Sequence, residues 1–272
     1  MNKNKKSPMT KTKNLSQIDK KFYELKNNNK LALMPFIMAG DPNIEITSKI
    51  LLKLQGKGAD LIELGIPYSD PLADGPIIQL SASRALKSGT NLKEVLYLLD
   101  SLQGKLHIPI ILFTYFNPLL SFGFENFCEM ANNAGVAGII IPDLPLEEAY
   151  KFSTIVSRYS MDLILLVAPT TPFERMKIIS NNTRGFTYLV SITGVTGERN
   201  KMENRVGNLI TELKEISTNP VAVGFGISLP EHVCKVREWG ADGVIIGSAF
   251  VKRISSSSEK DVVNNVGNFC GE

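Results

Sequence analysis

The 272-residue chain is 43% hydrophobic and 21% charged, enough apolar material for a sizeable core and an ordinary charge content for a soluble protein. No apolar run approaches the roughly 18 residues of a membrane span, so no transmembrane helix is expected. A net charge of +3 comes with two His in surface-like contexts and three scattered Cys lacking any C-x-x-C pair, which excludes a zinc ribbon or disulfide framework and leaves no metal site expected.

The charge is concentrated at the start. Residues 1–30 hold nine Lys against Asp19 and Glu24, a local +7 that leaves the other 242 residues at −4. Residues 1–15 lack an apolar h-region, Arg and any amphipathic period, so they read as a disordered basic leader rather than a secretory signal or transit peptide. No basic and aromatic pattern continues into the body, so no nucleic-acid partner is expected. A helix is predicted over 16–29, and after it apolar runs alternate with amphipathic stretches. Strands are predicted at 33–38, 59–65, 108–114, 138–141, 163–167, 186–190, 221–224 and 244–246. Between them helices are predicted at 45–57, 92–102, 124–134, 146–159, 172–180, 206–216 and 230–239. Thr171 reads as an N-cap before Pro172 at the first helical position, and Ser228 in Ser228-Leu229-Pro230-Glu231 does similarly. Cys128 and Cys234 fit their helices as small apolar fillers, and Trp239 as packing at a helix end. Eight strands with no Gly/Ser linker predict an α/β fold: a single-domain (β/α)8 TIM barrel over 16–272 with an extra N-terminal helix. An open doubly wound sheet competes, but no G-x-G-x-x-G follows the first strand. The phrases G-A-D at 58–60, G-V-A at 135–137 and G-A-D at 240–242 each close a helix and lead into a strand, as Gly C-caps do.

Residues 61–76, L-I-E-L-G-I-P-Y-S-D-P-L-A-D-G-P, carry the sharpest chemical signal. Glu63 stands among Leu61, Ile62, Leu64 and Ile66, where burial raises a carboxylate's pKa. Such tuning suits proton transfer near neutral pH; a buried Glu that only ties down the next loop fits equally well. Asp70 reads as a turn-former in D-P-L, whereas Asp74 lies in the long loop behind the second strand. In a barrel of this kind chemistry gathers at the C-terminal strand ends. Tyr188 falls near the exit of the sixth strand, Gly224-Phe225-Gly226 after the seventh and Gly247-Ser248 after the eighth. Glycines leading into helix starts let backbone N–H groups approach an anion, so Gly226, Gly247 and Ser248 predict a phosphate site, with a third Gly-rich loop at 194–197. Asp143, in P-D-L-P, is on the same rim as a candidate loop anchor.

Taken in order, P-F-I-M-A-G-D-P at 35–42, E-L-G-I-P-Y-S-D-P-L-A-D-G-P at 63–76, Y-F-N-P at 115–118, P-D-L-P at 142–145, Y-L-V-S at 188–191, G-V-T-G at 194–197, G-F-G-I at 224–227 and G-S-A at 247–249 closely resemble the tryptophan synthase alpha subunit family. The resemblance covers residues 36–254. It implies a lyase of tryptophan biosynthesis that cleaves indole-3-glycerol phosphate to indole and glyceraldehyde 3-phosphate. It further implies Glu63 as the acid and base, Asp74 as acceptor of the indole N–H, and Tyr188 as an orienting group beside Glu63. Phe36 and Ile78 would line the indole pocket, with Phe225 against the substrate. Gly197, Gly226, Gly247 and Ser248 would hold the phosphate, and residues 192–203, Thr196 among them, would form a lid. The resemblance implies no cofactor in this chain, pyridoxal phosphate in a partner beta subunit, and an α2β2 heterotetramer docked through the rim that includes 115–118. Rivals are a stand-alone lyase and an inactive regulatory barrel, the second disfavoured because Glu63 and Asp74 are both present. The expected compartment is the cytoplasm, or a plastid stroma if the Asn-, Lys- and Ile-rich composition reflects a plastid genome.

Overall fold

The computed structural model describes residues 15–190, 199–224 and 226–272, without the side chains of 199–204. Its elements run α1 (Gln17–Asn27), β1 (Ala32–Met38), α2 (Ile44–Gly56), β2 (Ile62–Gly65), α3 (Pro76–Lys87), α4 (Leu92–Ser101), β3 (Ile110–Phe113), α5 (Phe116–Phe122), α6 (Phe124–Asn133) and β4 (Gly138–Ile140). They continue with α7 (Leu146–Arg158), β5 (Asp162–Val167), α8 (Phe173–Asn182), β6 (Thr187–Val190), α9 (Arg199–Ile216), β7 (Val221–Gly224), α10 (Pro230–Glu238), β8 (Gly243–Ile246), α11 (Ser248–Ser255) and α12 (Val262–Gly271). The eight strands pair in parallel and close on themselves in chain order, as the TIM-barrel expectation required.

Local chemistry explains most boundaries. Ser16 and Asp19 form a capping box at the start of α1, and the side chains of Asn43 and Asn91 cap α2 and α4. Gly58, Gly135 and Gly240, the glycines of the recurring phrase, all have φ between 78° and 98°. The Asp that follows two of them pins a neighbouring strand. Asp60 Oδ2 accepts the Leu33 N–H at 2.9 Å, and Asp242 Oδ2 accepts the Val221 N–H at 2.8 Å.

The strands are buried on both faces. Outside, they pack on the helices; inside, Met34, Leu61, Ile111, Ile164, Phe186 and Ile245 fill the barrel. Ile18, Phe22 and Leu25 of α1 join that interior cluster, so the extra helix plugs the N-terminal end. Filling that end leaves the opposite mouth as the open one.

Several sequence expectations need correction. The long loop behind the second strand contains a twelve-residue helix, α3, and 116–122 also forms a helix, α5. Helix α9 begins at Arg199, so the last part of the proposed lid, 199–203, is helical; 192–198 lie outside the described residues, as does the leader up to residue 14. The cap of α8 is Pro172 rather than Thr171, whose hydroxyl instead accepts the Ala168 N–H, and the cap of α10 is Leu229 rather than Ser228. Cys234 is exposed on α10, whereas Cys128 is a buried filler. Trp239 does pack at a helix end, against Gly207 of α9.

Candidate active site

Phe36 of β1 pairs in register with Glu63 of β2, so both side chains point into the barrel mouth. There they meet a cavity of about 840 Å³ ringed by the C-terminal ends of the strands. Glu63 is 3% exposed, and among the described residues nothing hydrogen-bonds its Oε2. Burial, reinforced by the nearby Asp74 carboxylate, pushes its pKa up to about 8. A buried carboxyl with a free oxygen facing a cavity is poised to exchange a proton with whatever fills it.

Asp74 stands in the loop that leads into α3, the Gln79 side chain holding its carbonyl at 2.8 Å. Burial raises its pKa to about 6, and a hydrogen bond from Tyr115 opposes the rise. The same Tyr115 hydroxyl accepts the Ala73 N–H at 2.9 Å, so one phenol fixes both the backbone and the carboxylate of this loop. Near pH 7 Glu63 is therefore mainly protonated and Asp74 mainly ionised. Two neighbouring carboxyl groups hold opposite states.

Tyr188 of β6 is 8% exposed, its phenol pushed well up by burial and by the two carboxylates. Gly224 makes room for it: a Cβ there would lie 2.6 Å from the Tyr188 ring. Across the mouth, Gly226 and the Gly247–Ser248 start of α11 line the same cavity. The exposed first N–H groups of α11 give that corner a positive partial charge suited to phosphate. Phe36, Ile78 and Phe113 supply apolar wall for a flat ring.

The structure thus brings Phe36, Glu63, Asp74, Ile78, Tyr188, Gly226, Gly247 and Ser248 to one cavity. Thr196, Gly197 and Phe225 lie outside the described residues. Asp70 is an exposed turn residue bonded to Ser69, and Asp143 anchors a neighbouring loop by accepting the Phe116 N–H at 2.8 Å. Two contributors escaped the sequence reading. Tyr115 stands in the quoted Y-F-N-P, but no local pattern ties it to Asp74. Arg175 of α8, bonded to Glu147 at 3.0 Å, is the one cation lining the cavity among the described residues, and its helix carries no motif.

Comparison with known proteins gives a consistent result. Residues 22–272 match the family described as Tryptophan synthase alpha chain. The chain is 80% identical over 272 residues to the tryptophan synthase alpha chain of Prochlorococcus marinus subsp. pastoris, covering 100% of this chain and 98% of that one. It is 50% identical over 251 residues to the alpha chain of Synechococcus elongatus, covering 92% and 93%. Among solved structures it resembles tryptophan synthase subunit alpha from Legionella pneumophila, at TM-score 0.85, 36% identity and 94% and 96% coverage. It also resembles a chain of the tryptophan synthase complex from Pyrococcus furiosus, at TM-score 0.82, 39% identity and 89% and 96% coverage.

Proposed function

The chain belongs to the tryptophan synthase alpha chain family, and from that membership we infer how its cavity works. The protein is a lyase that cleaves indole-3-glycerol phosphate to indole and glyceraldehyde 3-phosphate. This reaction uses no cofactor; pyridoxal phosphate belongs to the beta subunit.

We propose that the phosphate rests on the backbone at Gly197, Gly226, Gly247 and Ser248, with the loop that holds Thr196 closing over the substrate and Phe225, from the loop after β7, packing against it. The indole ring lies against Phe36 and Ile78, its N–H donated to the ionised Asp74. Glu63 gives its proton to the ring carbon that bears the glycerol chain, and Asp74 stabilises the positive charge that develops on the ring nitrogen. Glu63, now a carboxylate, takes the proton of the neighbouring glycerol hydroxyl. That oxygen becomes the aldehyde carbonyl, the carbon–carbon bond breaks, and its electron pair restores the indole. One proton leaves Glu63 and one returns, so the residue ends as it began. Tyr188 beside it limits the orientations Glu63 adopts. The observation that carries this reading is the pair of unlike carboxyl groups, Glu63 with a free buried oxygen and Asp74 held by Tyr115.

A beta chain is the natural partner, since the relatives are alpha chains and one similar structure is a tryptophan synthase complex. An α2β2 assembly is our proposal. The exposed rim supports it: Leu72 in the loop before α3 is 94% exposed and Leu120 of α5 is 52% exposed, beside the Tyr68–Asn117 hydrogen bond. We place the catalytic domain at 16–272. Among the described residues no helix is long and apolar enough to cross a membrane. The cyanobacterial relatives favour the cytoplasm over a plastid stroma.

The test is indole release from indole-3-glycerol phosphate by the purified chain, with and without a beta chain, beside Glu63→Gln. Slow release that the beta chain accelerates, and that the variant lowers about 10²–10⁴-fold, is expected. Fast release needing no partner would favour a stand-alone lyase, and an active Glu63→Gln would remove Glu63 from the chemistry.

A further inference from the structure

Helix α3 sets the place of Asp74 at its N-terminal end and of Ile78 within it, yet much of its buried contact is polar. Ala82 and Ala85, with partly buried Ile77 and Ile78, pack toward Phe36, Met38 and Val251. The next stripe of the helix, at 81, 84 and 88, bonds to two residues of the loop between β1 and α2. Asp41, 1% exposed, receives the Arg84 guanidinium at both oxygens, Nε to Oδ1 at 2.8 Å and an η nitrogen to Oδ2 at 2.6 Å, and also the Ser81 hydroxyl. Ser88 Oγ, at the C-cap, shares its one hydrogen between the Ala85 carbonyl at 2.8 Å and the Gly40 carbonyl at 3.0 Å. Just past the helix Thr90 closes on Gly40, where a Cβ would fall 2.0 Å from its Oγ1. The loop is in turn held to α2, the Gly40 N–H bonding Thr47 Oγ1 at 2.9 Å.

Small apolar side chains would let a helix slide with little penalty. Directional bonds do not: a forked guanidinium–carboxylate pair has one good geometry. A slide of α3 by one residue moves Asp74 about 1.5 Å, enough to break its bond with Tyr115 and misplace it against the substrate. The Arg84 side chain is also 38% exposed, and an ion pair open to solvent on one side adds little net stability. The polar stripe therefore makes sense as a register device. We propose that Asp41 and Arg84 are positioning residues for the lyase reaction, clamping α3 so that Asp74 and Ile78 face Glu63. The proposal rests on the lyase reading above and assigns the clamp no contact with substrate.

The test separates position from stability. In the double variant Asp41→Leu/Arg84→Met, thermal unfolding and the kinetics of indole release from indole-3-glycerol phosphate are measured beside the wild type. The clamp predicts a folded variant whose melting temperature falls by only a few degrees, because the Ser81 hydroxyl loses its acceptor. It also predicts kcat at least about tenfold lower with KM raised, since Asp74 and Ile78 hold the indole ring, while inhibition by inorganic phosphate, bound on β7, β8 and α11, changes less than about twofold. A stable double variant with wild-type kcat would overturn the proposal. Should the double variant fail to fold, Arg84→Lys keeps the cation but loses the fork. It is expected to melt with the wild type and lose about fivefold in kcat, and full kcat would overturn the clamp. A wild-type chain that releases no indole would overturn the lyase reading, and with it any positioning role in that reaction.

Discussion

With its folded pKa pushed up to about 8, Glu63 keeps a proton at neutral pH where an exposed carboxylate has lost it. The folded state binds that proton more tightly than the unfolded chain, whose Glu titrates near its ordinary value of 4.5. Glu63 thus contributes stability that is fully present below pH about 4.5 and is lost as pH rises through about 8, on the order of 5 kcal/mol for a shift of this size. Glu63→Gln, which cannot ionise, should melt well above wild type at pH about 9 and close to it at pH about 5. Equal melting temperatures at both values would mean that Glu63 is not held protonated. Tyr115 acts on the other carboxyl group. Its hydrogen bond favours ionised Asp74, so Tyr115→Phe should raise the Asp74 pKa above about 6 and move the acid limb of the kcat/KM profile upward, with kcat several-fold lower. An acid limb left in place would show that Tyr115 only packs. Glu63 was legible in the sequence because a carboxylate inside an apolar strand is a local anomaly. Tyr115 was not, because its partner Ala73 lies 42 residues away.

At the scale of elements, legibility followed how a helix is paired. The helices on the outside of the barrel show an apolar stripe against a polar one, and that period can be read in isolation. In α3 the buried side includes Ser81, and Arg84 lies over Asp41, so the period is blurred until the loop that satisfies them is in place. Helix α5 spans only seven residues, Phe116–Phe122, too few for the spacing of Phe116, Leu119 and Leu120 to show as a period. Helix α1 was foreseen, but not its job. Its Phe22 packs against Phe186 inside the barrel floor, the ring centroids 5.6 Å apart and the planes tilted by 51°. Phe22→Ala should lower the unfolding free energy by about 3 kcal/mol in a urea titration while kcat changes less than about threefold, since the plug is at the end opposite Glu63. A large kcat loss at unchanged stability would tie α1 to the chemistry instead.

At the scale of the whole molecule, one end of the barrel is sealed and the other keeps a cavity with an apolar exposed rim. An exposed side chain such as Leu120 is normal by itself, but with Leu72 also exposed it belongs to the rim we propose for the beta chain. Leu120→Asp should weaken association with the beta chain about tenfold, read by titrating that chain against indole release. Unaltered titration would move the partner to another face. The order and type of the eight βα units, the misfit Glu63 and the glycines at 226 and 247 could be read from the sequence, because apolar periodicity and misfit residues are properties of neighbours along the chain; Asp74 was marked only by the family resemblance. The unlike protonation of the two carboxyl groups, the Tyr115 bond and the Asp41–Arg84 clamp were decided only by the tertiary structure. Burial and directional hydrogen bonds depend on which distant segments close around a group, and barrel closure brings those segments together.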